Sequence, residues 1–156
     1  MSPFFDRLEL LIPPPVLLVL LGAMAWGIAV TSPSGLVLPA APYLAVLVGI
    51  AGLALNLLPK IAFRRLGTTV NPLRPHASTA VVTSGLYRFS RNPMYLGHVL
   101  ILSAWVIALR SPESALLPLF QLAYLTRFQV VPEERVLSAR LPIEYAAYVK
   151  TTRRWL

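Results

Sequence analysis

The sequence contains no cysteine and only two histidines. Without thiols there is no disulfide framework, no thiolate metal site and no cysteine nucleophile. Two histidines leave little room for a His-based zinc or iron centre, so no metal is expected. Charge is scarce as well, at 13% of the 156 residues, against roughly 25% in soluble domains. Acids are scarcest, six against fourteen bases, for a net charge of +8. None of the eight glycines falls into G-x-G-x-x-G, which removes the phosphate-binding turn of soluble dinucleotide folds. Apolar residues fill the space: 56% of the chain is hydrophobic and the mean hydropathy is +0.68. That much apolar surface excludes a disordered tail and makes this an integral membrane protein.

Four hydrophobic stretches stand out: Pro13 to Val30, Leu36 to Leu58, Met94 to Leu109 and Ser114 to Val131. The first two carry no charge and match the length of about 20 apolar residues that a span needs. The last two are shorter and hold His98, Ser103, Gln121, Tyr124, Thr126 and Arg127, so they are expected to face partner helices or a cavity. A cleaved signal peptide is the other reading of the first stretch, but Asp6, Arg7 and Glu9 before it give no positive n-region. The expected fold is all-α and polytopic, with four transmembrane helices and a cytoplasmic amphipathic C-terminal helix. One domain covers 1–156, divided into a helical hairpin (1–58), a loop (59–93), a second hairpin (94–131) and a tail (132–156).

Charge sets the orientation. The loop 59–93 holds Lys60, Arg64, Arg65, Arg74, Arg88 and Arg91 with no acid, and 127–156 carries six bases against three acids. By the positive-inside rule the loop, the tail and both termini are cytoplasmic, in what reads as a bacterial inner membrane. Flanking membrane helices explain these basic runs better than nucleic acid does. In the second stretch Ala41, Ala45 and Gly49 recur at steps of four, with Gly52 three further on. Small residues on one ridge let helices approach closely in lipid.

The loop is too long for a mere connector, and the apolar run Ala80 to Tyr87 argues that it is ordered. Asn92 then has the character of an N-cap, with Pro93 at the first helical position. Tyr95 and His98 follow three residues apart, near Arg91 and Tyr87. So many polar and aromatic groups at one membrane boundary suggest a pocket. The tail offers Glu133 and Glu134 at the start of a helix, where acids suit the dipole, then Tyr145 and Tyr148 at helical spacing. By itself the tail also reads as an interfacial anchor of Tyr, Trp and Arg.

The stretch VVTSGLYRFSRNPMYLG, followed by a helical hairpin and then EERVL, EYAAY and TRRWL, resembles the isoprenylcysteine carboxyl methyltransferase family. That family in turn is similar to the phospholipid methyltransferases. The resemblance covers roughly residues 68–156, and the first two helices match only in hydropathy. It implies a polytopic membrane enzyme that binds S-adenosylmethionine on the cytoplasmic side with its C-terminal half. By position it places Thr79, Ala80, Val81, Val82 and Tyr87 around the adenosyl group. Asn92, Pro93, Met94 and Tyr95 match the family's (H/N)PxY cofactor motif, and Glu133 matches a cofactor-contacting carboxylate. The eukaryotic enzymes carry a substrate-contacting Arg four residues before that acid, where this chain has Gln129, with Arg127 two positions earlier; both are candidates for the substrate.

The residues themselves accord with methyl transfer. Glu133 or Glu134 can balance the sulfonium and ammonium, Arg91 or Arg153 can take the carboxylate, and Tyr87 or Tyr95 can pack on the adenine or sulfonium. His98 and Tyr148 complete the expected cofactor set. No catalytic side chain is assigned, since alignment and desolvation of the acceptor supply most of the rate. The acceptor is expected to be lipophilic and drawn from the bilayer: an isoprenylcysteine-type carboxylate, a thiol or a lipid amine. Membrane lipid is its environment; no nucleic acid and no obligatory protein partner are expected. Two alternatives are an NADPH-dependent reductase of the sterol-reductase type, which shares an Arg-x-Pro-x-Tyr-x-Gly pattern, and a non-enzymatic membrane assembly factor.

Overall fold

The computed structural model describes residues 8–32, 38–65 and 81–156. Every regular element among the described residues is helical. Helix α1 is Pro14–Thr31, α2 is Ala41–Arg65, α3 is Pro93–Leu109 and α4 is Leu116–Leu125. Two short helices close the chain, α5 (Val131–Arg140) and α6 (Pro142–Thr151), with 3-10 turns at Gly85–Arg88 and Pro112–Ser114.

Helices α1 and α2 are long and apolar enough to cross a membrane, and α3 is a shorter apolar helix of 17 residues. Only 22% of each long span is buried. Val19, Leu20, Val46, Leu47 and Ile50 instead point outward, each more than half exposed. The core helix of a soluble protein turns such residues inward, whereas lipid solvates them.

Helix α3 holds the bundle together. One face of it, Tyr95, Val99 and Leu102, packs with Leu17 and Leu21 of α1 and with Leu125 and Val130. The other face meets α2 so closely that a Cβ on Gly97 would lie 2.7 Å from the Gly52 carbonyl oxygen and 2.8 Å from the Asn56 amide nitrogen. Only hydrogen fits there. Gly52 answers from the opposite helix, so the small-residue ridge read from the sequence is the α2–α3 interface. Trp105 Nε1 donates to the Gly22 carbonyl at 3.0 Å, tying α3 to α1 as well.

The helix limits differ from the sequence reading in three places. Helix α2 runs through Pro59 to Arg65 instead of ending at Pro59. Proline removes one backbone donor, but neighbouring helices make that tolerable in an apolar bundle, and Pro59 is fully buried. Helix α4 does not stop before Pro132: it widens into a π turn over Thr126–Val130 and continues directly as α5. Pro132 has no N–H for the Phe128 carbonyl, and Leu10 N–H donates to that oxygen instead, at 2.9 Å. The tail, finally, is a pair of helices broken at Leu141 rather than one amphipathic helix.

Candidate functional site

The end of the bundle where α3 begins is covered by the Gly85–Arg88 turn and by α5 and α6. Three sets of contacts build it. In the first, Val82 and Tyr87 from the loop pack with Tyr145 and Tyr148 of α6, with Val81 and Leu137 at the edge. Tyr148 donates its hydroxyl to the Tyr87 carbonyl at 2.7 Å, and the Tyr145 and Tyr148 rings meet edge to face with centroids 6.4 Å apart. Burial pushes the Tyr87 and Tyr148 phenols far above their ordinary range. Tyr145 is pushed up to about 12, by burial first and by Glu134 second. All three are neutral hydroxyls at physiological pH.

The second set binds the chain's end to the start of α3. Arg91 N–H donates to the Arg153 carbonyl at 2.9 Å. Asn92 Nδ2 donates to the Arg154 carbonyl at 3.0 Å. Asn92 occupies the N-cap position before Pro93, but its side chain makes no capping bond. Its work is to hold residues 153–154 against the bundle.

The third set is ionic. Tyr95 donates to Glu133 Oε1 across the α3–α5 contact. Glu134, one residue on, receives Arg91 Nη2 at 3.1 Å and two bonds from Arg154, at 2.7 and 3.1 Å. The paired carboxylates therefore have different partners, as their separation of about 100° around a helix requires. Arg154 is held charged by Glu134, its pKa raised chiefly by that bond. Among the described residues no cation pairs with Glu133. Burial pushes its pKa up to about 8; Glu134 adds to the rise and the Tyr95 bond opposes it. Near neutral pH its carboxyl group thus carries a proton much of the time. Arg91 Nε is also buried without a hydrogen-bond partner.

Of the residues expected at a cofactor site, Val81, Val82, Tyr87, Arg91, Asn92, Pro93, Met94, Tyr95, Glu133, Glu134 and Tyr148 gather at this end of the bundle. Thr79 and Ala80 lie outside the described residues. His98 belongs to another cluster: it faces α2, where Asn56 Nδ2 lies 3.4 Å from its ring nitrogens. Arg153 is exposed, with its guanidinium 3.5 Å from the Leu156 carbonyl, and Arg154 takes the place at Glu134. Sequence reasoning passed over Arg154, although TRRWL offers two adjacent arginines.

Arg127 and Gln129 turn to the segment before α1. Arg127 Nη1 pairs with Glu9 at 2.7 Å, and Arg135 joins the same carboxylate at 3.1 Å. Burial raises the Glu9 pKa, but the two guanidiniums outweigh it and hold the carboxyl below its usual range. Gln129 Nε2 donates to the Ile12 carbonyl at 2.8 Å. Leu10 carries a φ of 57°, a left-handed backbone that costs a non-glycine residue about 1–2 kcal/mol; the Glu9, Leu10 and Ile12 bonds offset it.

A family model described as phospholipid methyltransferase matches residues 41–141, from the start of α2 to the end of α5. No curated protein and no solved structure matches the chain.

Proposed function

The chain belongs to the phospholipid methyltransferase family, and on that premise we propose that it takes a methyl group from S-adenosylmethionine and passes it to a lipophilic acceptor drawn from the bilayer. The family makes it a membrane methyltransferase; the donor and the acceptor are our reading. The observation that carries the reading is Glu133, a buried carboxyl bonded to Tyr95 and facing no cation among the described residues.

The donor set fits S-adenosylmethionine. Glu133 offers a charge for the sulfonium or the ammonium. The unpartnered Nε of Arg91 suits a carboxylate. The neutral rings of Tyr87, Tyr145 and Tyr148 provide an aromatic wall for the adenine or the cation. When bound, this cofactor supplies an electrophilic methyl on a sulfonium. The protein's part is to bind it, exclude water and hold the acceptor in line. Glu134 and Arg154 position rather than bind, since they neutralise each other. Candidate acceptors remain an isoprenylcysteine-type carboxylate, a thiol or a lipid amine, and Arg127 and Gln129 stand on the side of the π turn as groups to meet it. The same reading places four crossings in a bacterial inner membrane, with this site and both termini cytoplasmic, and requires no protein partner.

Titration calorimetry of detergent-purified protein with S-adenosylmethionine, S-adenosylhomocysteine and NADPH tests the proposal. Binding of the first two alone is the expected result. Binding of NADPH alone would make the chain a membrane reductase, and binding of none would return it to a non-enzymatic role.

A further inference from the structure

The segment before α1 is tied to the junction of α4 and α5 by ionic and backbone bonds. Glu9 Oε1 accepts from Arg127 Nη1 at 2.7 Å, and Glu9 Oε2 accepts from Arg135 Nη1 at 3.1 Å. Leu10 N–H donates to the Phe128 carbonyl at 2.9 Å, and Gln129 Nε2 donates to the Ile12 carbonyl at 2.8 Å. Arg127, Phe128 and Gln129 all lie inside the π turn, whereas Arg135 lies beyond it in α5. Leu10 reaches its carbonyl from a left-handed φ of 57°, a conformation that a leucine keeps only where its surroundings impose it.

The spacing shows what these ties select. Arg127 and Arg135 are eight residues apart. In an unbroken α-helix eight steps leave two side chains about 80° apart around the axis. A π turn absorbs one extra residue, so the pair behaves as if seven apart and stands within about 20° of a common face. One carboxylate can then meet both guanidiniums, as Glu9 does. The same extra residue sets the register of everything after it. Helix α4 is fixed in the core, with Gln121 and Leu125 fully buried. Continued from there as a plain α-helix, the chain would carry Glu133 forward by about 100°, to the place where Glu134 meets Arg91 and Arg154. Pro132 would then turn toward Tyr95.

We propose that Glu9 is a positioning residue for Glu133: by bridging Arg127 and Arg135 it selects the π register, in which Glu133 rather than Pro132 faces Tyr95. A contact made in only one of two arrangements shifts the population toward that arrangement. Leu10 adds to the same selection by taking the carbonyl that Pro132 leaves free. The consequence for S-adenosylmethionine rests on the methyltransferase reading, and the register does not.

The chain has only six acids, so infrared spectra can follow one carboxyl. The probe is the C=O stretch of protonated Glu133 in the full detergent-purified chain, assigned by its loss in Glu133→Gln. The other titratable groups around it are Tyr95, Tyr87 and Glu134. In the wild type this band should fade near pH 8. In Glu9→Gln the rotated carboxyl meets Arg91 and Arg154, which favour its ionised form, so the band should fade about two pH units lower or more. Affinity for S-adenosylhomocysteine should fall about tenfold or more in the same variant. Glu9→Asp keeps the charge and should restore most of both. If Glu9→Gln does not fold, Arg135→Gln breaks the bridge at an exposed residue and should give the same shift. A band that stays near pH 8 in both variants overturns the proposal, even if both melt earlier, and leaves Glu9 a structural tie alone. A shifted band in a chain whose wild type binds no S-adenosylhomocysteine upholds the positioning and defeats the methyltransferase reading instead.

Discussion

Tyr95 near the start of α3 donates its phenolic hydrogen to the Glu133 carboxylate, 38 residues further along the chain. The bond joins the first turn of one helix to the first turn of another, and makes Glu133 part of the bundle's end rather than a loose acid on the tail.

Replacing each acid of the pair separates binding from structure. In Glu133→Gln the amide oxygen still accepts from Tyr95, so the fold survives while the ionisable group is gone. S-adenosylhomocysteine binding should fall by about 2–5 kcal/mol, beyond ready detection. Glu134→Gln breaks the contacts to Arg91 and Arg154 and should cost about 2 kcal/mol of stability, with a smaller loss of affinity. Calorimetry and thermal melting in detergent check both. Equal, small effects at the two positions would reduce Glu133 to a helix-dipole partner.

The raised pKa of Glu133 predicts a pH dependence. Its carboxyl is largely protonated below about 8, and a bound cation favours the ionised form, so cofactor binding expels a proton. Affinity for S-adenosylmethionine should therefore rise with pH, by up to about tenfold per unit, and level off above the pKa. In Glu133→Gln the slope disappears. A flat wild-type profile between pH 6 and 9 would show that the carboxyl does not meet the cofactor's charge.

Gly97→Ala should destabilise the bundle more than any other single methyl addition to α3. The new Cβ meets backbone atoms of Gly52 and Asn56 below 3.0 Å, and backbone cannot step aside as a flexible side chain can. Overpacking of this kind costs about 1–3 kcal/mol or more. By contrast Gly27, with open space where its Cβ would stand, should accept alanine. The melting temperatures of the two variants decide the point.

The proposed topology of four crossings puts the end of α1 and the middle of α5 on opposite sides of the membrane. Ser32 and Ser138 are both exposed, and the chain has no cysteine of its own. Ser32→Cys should react with a membrane-impermeant maleimide from outside the cell, and Ser138→Cys only after lysis. Same-side labelling would sink the proposed topology.

Much of this molecule is legible one element at a time. Hydropathy found α1 and α3 within a residue of their ends and the apolar part of α2, though not its run through Pro59 to Arg65, because lipid demands long apolar runs and the demand is local. The step-of-four pattern of small residues marked the close-packing face of α2 for the same reason, since helical period decides which side chains share a face, while the structure supplies α3 as its partner. Tyr95 and Glu133 were readable as a motif.

Tertiary packing decided which groups meet. Arg154 rather than Arg153 reaches Glu134, because the Arg91 and Asn92 bonds to the backbone at 153–154 set the register of the chain's end. Glu9 meets Arg127 and Arg135 from more than a hundred residues away, and no local pattern announces that pairing. His98 shares a helix face with Tyr95 in the sequence, yet the Gly97–Gly52 approach carries it to Asn56 and Lys60 on α2. The π turn before Pro132 belongs with these: a missing N–H in the sequence shows that a carbonyl is released, and only the packed structure shows that Leu10 takes it. Hydrophobicity and helical period are properties of a segment, whereas hydrogen-bond and charge pairing depend on distances between segments, which the sequence does not hold.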